Sequence, residues 1–386
     1  MSTLTLKILI WLWPICTFFT ILGCAYALIT VDVLRQFAQK KVARLSSSPS
    51  VTILKPLYGE EPGLEANLAS FCQQDYAGDV QLVFGLHEAA DPAARVVERL
   101  LRRYPTRNIA LCIDPRVYGT NGKLSNLINM LPKASHDVLV LSDSDIRVAP
   151  SYLKDVIATF GESGVGLVSC LYRGVAAAGI WSHLAAAAIN NHFLPNVLVG
   201  LKLGLAHPCF GSTMAIRAET LGRIGGFEPF ADRLADDYAI GMAVRGLGLR
   251  VAIPPVLVDH ICSEATFAEL VRHELRWART IRSIDPVGYA GLPVTNPIPF
   301  ALAAAALAGF DVAGIALFLL ALACRTMVSI QVGKLGDAAG GSASPWLTPL
   351  RDLLSFAIFL ASLFPGPVIW RGHRALLQSD GTLRRS

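Results

Sequence analysis

Residues 8–31 carry no charged side chain, and no other feature of the sequence limits the fold as strongly. Coiled as a helix, these 24 residues rise roughly 36 Å, enough to cross a hydrocarbon core of about 30 Å. Lys7 stands before the run, whereas Arg35, Lys40, Lys41 and Arg44 follow it. The positive-inside bias therefore puts the downstream chain in the cytoplasm and the N-terminus outside. Leu22-Gly23-Cys24-Ala25 has the look of a lipoprotein cleavage box, and Ala25-Tyr26-Ala27 of a signal-peptidase site. The run is nevertheless longer than a secretory core of about 15 residues and continues past Cys24, which favours an uncleaved anchor.

Composition agrees with a membrane component: 53% of the 386 residues are hydrophobic and the mean hydropathy is +0.48, too apolar for an ordinary soluble enzyme. The net charge of +5 is modest, and basic residues are not gathered into runs interleaved with aromatics, so no nucleic-acid partner is expected. Cys16, Cys24, Cys72, Cys112, Cys170, Cys209, Cys262 and Cys324 form no C-x-x-C pair and no cluster with histidine. They read as dispersed buried thiols of a domain facing a reducing compartment, not as a zinc ribbon or disulfide framework.

The organisation expected is an anchor over residues 1–34, a linker over 35–50 containing Ser46-Ser47-Ser48-Pro49-Ser50, and an α/β domain over 51–285. Membrane segments then occupy 286–372 and a polar tail 373–386. Within the domain, strand-like runs at 51–54, 80–86, 109–113, 138–142, 165–170 and 249–253 alternate with helical patterns, for example at 63–73, 92–104 and 123–131. Such alternation predicts a mostly parallel sheet with helices on both faces. After residue 285, Asp311 is the only charge before Arg325, so this stretch is either one long tilted helix or a hairpin turning near Gly309 and Asp311. Residues 353–370 form a further uncharged run of near-spanning length.

Asp143 and Asp145 follow directly on a buried-type strand. Ligands of open α/β sheets lie beyond such carboxyl ends, and paired carboxylates there suit hard Mg²⁺ or Mn²⁺ serving a diphosphate. A polar turn would explain the pair as simply. Glu88 and Asp91 end a second strand; Asp91 precedes Pro92 and could be an N-cap, or could hold the uracil or ribose of a nucleotide. Lys123, at a helix start, could reach donor phosphate or be solvated. Asp236 and Asp237 open another helix, where the dipole favours acids. Transfer to a hydroxyl would also need such a carboxylate as base.

Thr266 and Glu269 make a capping box, and Phe267, Leu270, Val271, Ala278 and Ile281 share one helical stripe. The other side carries Arg272, Arg276 and Arg279, which suits an interfacial helix or a clamp on a departing diphosphate, with Trp277 stacking on a sugar or lining the acceptor groove. His192 is isolated in an apolar region and is a candidate for the acceptor side.

Taken in order, Asp91, Asp143-Ser144-Asp145, Asp237 and His273-Glu274-Leu275-Arg276-Trp277 resemble the D, D, D, (Q/R)-x-x-R-W signature of the ceramide glucosyltransferase family, glycosyltransferase family 21. Further likeness lies in Leu54-Lys55-Pro56-Leu57, Asp91-Pro92-Ala93, Lys123 with Asn126, Ser144-Asp145-Ile146-Arg147-Val148, Gly225-Gly226-Phe227 and Ile369-Trp370-Arg371-Gly372. His273 departs from the pattern, standing where the signature has Gln or Arg. The strings at 170–174, 234–238 and 273–281 look most like a bacterial hopanoid-associated branch.

The resemblance implies a cytoplasmic GT-A nucleotide-diphospho-sugar transferase domain flanked by transmembrane helices, in a bacterial inner membrane. It implies inverting transfer of glucose or N-acetylglucosamine from a UDP-sugar to a ceramide or hopanoid hydroxyl, with a divalent metal. By position, Asp91, with Glu88, Lys123 and Asp143, would serve the nucleotide sugar, and Asp143 and Asp145 the metal. Asp237 would be the base with Asp236 second to it, Arg276 and Trp277 would close the product-phosphate and acceptor side, and His192 and His273 would lie toward the acceptor. A processive polysaccharide synthase shares these elements but needs more spanning helices; a non-catalytic sugar-nucleotide sensor would use the acids only as caps and turns.

Overall fold

The computed structural model describes residues 3–42, 44–335, 345–364, 366, 368–370, 373–377 and 382–385. In chain order its helices are α1 (Thr3–Gln39), α2 (Leu64–Cys72), α3 (Ala93–Arg103), α4 (Gly122–Met130), α5 (Tyr152–Phe160), α6 (Gly179–Ala188), α7 (Leu194–Lys202), α8 (Ala218–Arg223), α9 (Asp236–Gly246), α10 (Phe267–Ile284), α11 (Pro286–Gly291), α12 (Pro297–Leu307), α13 (Val312–Gly333) and α14 (Thr348–Ser362). The strands are β1 (Val51–Pro56), β2 (Val80–Leu86), β3 (Asn108–Ile113), β4 (Val138–Leu141), β5 (Ile146–Arg147), β6 (Val165–Ser169), β7 (Leu171–Ala176), β8 (Met214–Arg217), β9 (Arg250–Ala252), β10 (Leu257–Cys262), β11 (Val368–Trp370), β12 (His373–Leu377) and β13 (Leu383–Arg385). The chain divides into a helical unit, Met1–Gln39, Ala178–Ala206 and Glu264–Ile369, and an α/β unit, Lys40–Ala177, His207–Ser263 and Trp370–Ser386.

The α/β unit is built on a sheet of order β3-β2-β1-β4-β8-β6-β9. β1 pairs in parallel with β2 and β4, and β2 with β3. β8 runs antiparallel to β4 and β6, while β6 and β9 are again parallel. β1 and β4 are buried along their whole length, as expected of strands covered on both faces. Leu54, Val83, Leu124, Leu127, Leu141, Ile216 and Val244 belong to one core that joins the sheet to α4 and α9. The chain winds outward from β1 to β3 and then returns to place β4 on the other side of β1. That reversal opens a crevice at the carboxyl ends of β1 and β4, the usual ligand position in such sheets. A smaller sheet has the order β5-β10-β7.

In the helical unit α1 is longer than the uncharged run, because residues on both sides continue the helix. Gly23 lets α1 approach closely: a Cβ there would lie 2.7 Å from the Val294 carbonyl oxygen and 2.9 Å from Pro297 Cβ. The stretch after residue 285 is the hairpin and not one long helix. α12 ends at Leu307, Gly309 and Phe310 take φ of 65° and 56°, and Asp311 caps α13 by accepting the Gly314 N–H at 2.7 Å. Residues 178–206 also pack here, as α6 and α7 joined by a π-helical turn, Ile189–Phe193. Their apolar side chains, with few charges, suit a helical bundle better than a sheet domain.

Among the described residues three helical segments are long and apolar enough to cross a membrane: Trp11–Gln39, Gly179–Lys202 and Val312–Gly333. Pro286–Thr295 and Pro297–Leu307 form a further pair bent by 55°. The run at 353–370 is not a single spanning helix, since α14 ends at Ser362 and Val368–Trp370 is a strand. Arg371 and Gly372 lie outside the described residues.

Candidate active site

Asp143 and Asp145 sit immediately past β4, and Lys55, Lys123, Gly211 and His260 from distant segments converge on them. Lys123, in the first turn of α4, places Nζ 2.7 Å from Asp143 Oδ1 and 3.4 Å from Asp236 Oδ2. Burial alone would depress the lysine, but Asp143, Asp236 and Asp237 hold it above its ordinary range, so it is a fixed cation. α4 is aimed by Asn121, whose side chain accepts the Leu124 N–H at 3.2 Å and donates to Asp236 Oδ1 at 3.3 Å. Asp236 is thereby tied inward, and its carboxyl is raised by burial against the pull of Lys123.

Asp237, its neighbour at the start of α9, has a different environment. Its Oδ2 accepts the Gly211 N–H at 2.8 Å and its Oδ1 the Tyr238 N–H at 2.7 Å. Burial, then the charge of Asp236, pushes its pKa up to about 6, with Lys123 opposing. Two adjacent acids thus differ in role: Asp236 is consumed by lysine and asparagine, whereas Asp237 is oriented by backbone donors and poised near neutrality. The Gly211 carbonyl in turn accepts the Asp143 N–H at 3.2 Å, so one residue links Asp143 to Asp237.

Beneath them lies Lys55, which carries the family-like Lys-Pro pair of β1 and is fully buried. Its Nζ donates to the Asp143 backbone carbonyl and to Ser142 Oγ at 3.3 Å, and stands 3.9 Å from the centroid of the Phe71 ring. Burial lowers its pKa to about 7 despite the nearby Asp143, Asp145 and Glu61. Glu61 accepts the Ser144 hydroxyl at 3.0 Å, and His260 Nδ1 lies 3.6 Å from Asp145 Oδ2. Gly211, Glu61, Asn121 and His260 went unnoticed as site residues in the sequence; a lysine inside an otherwise buried strand was the visible signal for Lys55.

The donor set suits a hard divalent cation. Asp145 Oδ1 is buried and has no hydrogen-bond partner among the described residues. Among the described residues no three His, Cys, Asp or Glu side chains are placed to hold a metal ion by themselves. The protein offers two carboxylates, the number sufficient for an ion that keeps waters and takes substrate phosphate oxygens.

Asp91, after β2, accepts the Gly59 N–H at 3.0 Å with both oxygens and the Ala93 N–H at 2.8 Å. It therefore caps α3 and also latches the loop between β1 and α2 over the strand ends. Glu88 is exposed on the loop between β2 and α3, and its carbonyl accepts the Asp91 N–H at 3.2 Å.

The other sequence-derived candidates belong to the helical unit. His273 Nδ1 lies 2.5 Å from Glu264 Oε1, and its ring meets Trp277 edge-on at 4.6 Å between centroids. Arg276 follows within the same turn of α10, half-buried. His192, on the π-helical turn, has Nε2 3.0 Å from Asp352 Oδ1, and Arg325 pairs with both oxygens of that carboxylate at 2.8 and 2.9 Å.

The strand order and the carboxylates at its edge define a GT-A nucleotide-diphospho-sugar transferase fold. The chain belongs to the family described as Glycosyl transferase family 21, whose model matches residues 15–383, and is a glycosyltransferase. It is 24% identical over 347 residues to ceramide glucosyltransferase 1 of Caenorhabditis elegans, covering 88% of this chain and 74% of the relative. It is 23% identical over 370 residues to ceramide glucosyltransferase 3 of the same organism, covering 92% and 79%. In fold it is similar to the mannosyltransferase PcManGT of Pyrobaculum calidifontis, solved with GDP-Man and Mn²⁺, at a TM-score of 0.54 and 20% identity over 91% of this chain and 97% of that one.

Proposed function

We propose that this glycosyltransferase moves glucose or N-acetylglucosamine from a UDP-sugar to the hydroxyl of a membrane lipid, a ceramide or a hopanoid, with inversion at the anomeric carbon. The observation that carries the reading is Asp237: a carboxylate oriented by the Gly211 N–H, raised to about 6, and set beside the Lys123–Asp143 pair. Asp237 takes the acceptor proton as the acceptor oxygen forms its bond to C1 of the sugar, and the bond from C1 to the UDP oxygen breaks in the same displacement. Asp143 and Asp145 would hold Mg²⁺ or Mn²⁺, which supplies positive charge against the diphosphate. Lys123 adds a fixed cation on the donor side, and Asp91 with Glu88 serves the nucleoside. To the helical unit the reading assigns Arg276 for the departing phosphate, Trp277 for the acceptor, and His192 and His273 for the acceptor side. The basic residues after the first span support a catalytic unit on the cytoplasmic face, in a bacterial inner membrane.

The test is transfer by the full chain in lipid nanodiscs, given each UDP-sugar with Mn²⁺ or Mg²⁺ and either ceramide or a hydroxylated hopanoid. Mass spectrometry should find a lipid carrying one hexose. Asp237→Asn should lower the rate by about 10²–10⁴-fold while UDP-sugar binding persists. A polymeric product, or full transfer by the Asn variant, overturns the reading.

A further inference from the structure

Helix α10 has an apolar side with a carboxylate in its middle. At 3.6 residues per turn, Phe267, Leu270, Val271, Trp277, Ala278 and Ile281 all fall within roughly 60° of Glu274, and Arg272 and Arg276 project to the opposite side. A lone carboxylate on such a face would be costly to desolvate. It meets Arg351 of α14 in a two-bond fork, Nη1 to Oε1 at 2.7 Å and Nη2 to Oε2 at 2.7 Å. Arg351 is fully buried, and it also donates to the Leu184 carbonyl of α6 at 3.2 Å and to Ser355 Oγ at 3.1 Å.

We propose that Glu274 and Arg351 are a positioning pair that fixes the rotation of α10 about its axis and so sets how Arg276 and Trp277 are presented for glycosyl transfer. The fork admits one orientation of the carboxylate plane, and turning α10 by a single residue would break both bonds. A buried ion pair contributes little net stability over an apolar pair of similar volume, but its geometry specifies register. The Glu264–His273 contact and the His273 edge on Trp277 extend the same restraint along the next side of the helix. The proposal rests on the reading above that Arg276 acts in transfer.

The decisive variant is Glu274→Met with Arg351→Met in the full chain in nanodiscs, because it leaves no unpaired buried charge. Its melting temperature should stay near that of the wild type, its kcat should fall by about 10-fold or more, and its donor KM should stay within about 2-fold. In an Arg276→Ala background the same replacement should cost less than about 2-fold, since the group being positioned is gone. Equal losses in both backgrounds, or a folded variant with full kcat, overturns the proposal. Should the double replacement not fold, Arg351→Lys keeps the charge without the fork and is read the same way; wild-type kcat for it overturns the pair. A wild type that transfers no sugar defeats the functional reading instead. The pair is then judged by maleimide labelling of Arg276→Cys, whose thiol stands out because the eight native cysteines are buried. A rate changed by about 3-fold or more on Glu274→Gln supports a register role, and an unchanged rate overturns it.

Discussion

Gly211 and Asp143 are packed so closely that a Cβ on residue 211 would lie 2.6 Å from Asp143 Oδ2. The same Cβ would lie 2.6 Å from Lys123 Nζ, which two carboxylates already hold. Gly211→Ala should therefore displace the Lys123–Asp143 pair and tilt the N–H that orients Asp237. Glycosyl transfer should fall by about 10²-fold, the usual cost of misplacing reacting groups by an ångström. Thermal unfolding should shift by only a few degrees. Wild-type turnover in this variant would show that the close approach has no catalytic consequence.

A carboxylate in the base role proposed for Asp237 acts only when ionised, so the rate should rise with pH up to about 6 and level off above it. Burial and Asp236 raise this carboxyl, while Lys123 pulls it down. Lys123→Met removes the opposing charge and should move the acid limb of the pH–rate profile to higher pH. A limb that stays in place, or moves toward acid, would separate Lys123 from the titration of the base.

Strands β1 to β4 and β6 were legible because each lies in a mostly apolar run, and β9 because Leu249 and Ile253 extend its Val251-Ala252 pair. β8 was not: Met214–Arg217 is four residues inserted antiparallel between β4 and β6, and only its partners define it. Residues 178–206 read only as an apolar region around His192, and they fold as α6, the π-helical turn and α7 of the helical unit. The carboxylates were visible because acids following strands are conspicuous. Gly211 was not, since its role is set by atoms of residues 123, 143 and 237 that no local pattern brings together.

Asp91 uses its carboxylate to latch Gly59 and Ala93 at once. Asp91→Ala frees both backbone donors and loosens the loop over the carboxyl ends of the strands. Donor KM should rise by about 10-fold, the worth of one or two lost hydrogen bonds, with kcat changing much less. Asp91→Asn, which keeps one acceptor oxygen, should fall between. Isothermal titration with the UDP-sugar reads the difference directly, and equal affinities across the three proteins would remove Asp91 from donor binding.

Lys55 offers a stability test independent of turnover. Its folded pKa of about 7 lies below the ordinary 10.5, because burial penalises the ammonium more than the surrounding acids favour it. Between these two values the unfolded chain binds a proton that the folded chain has released. Stability therefore rises with pH across that window, by at most about 1.4 kcal/mol per pH unit for one proton, and below about 7 the full cost of the buried charge is carried. Lys55→Met keeps the packing against Phe71 and removes the titration, although it leaves Ser142 Oγ and the Asp143 carbonyl without their donor. Relative to the wild type, the Met variant should hence look best near pH 7 and lose ground steadily toward pH 10. Melting temperatures measured in parallel across that range cancel the thiols and phenols common to both proteins. A difference that stays flat with pH would mean that Lys55 is not held as a depressed base beneath Asp143.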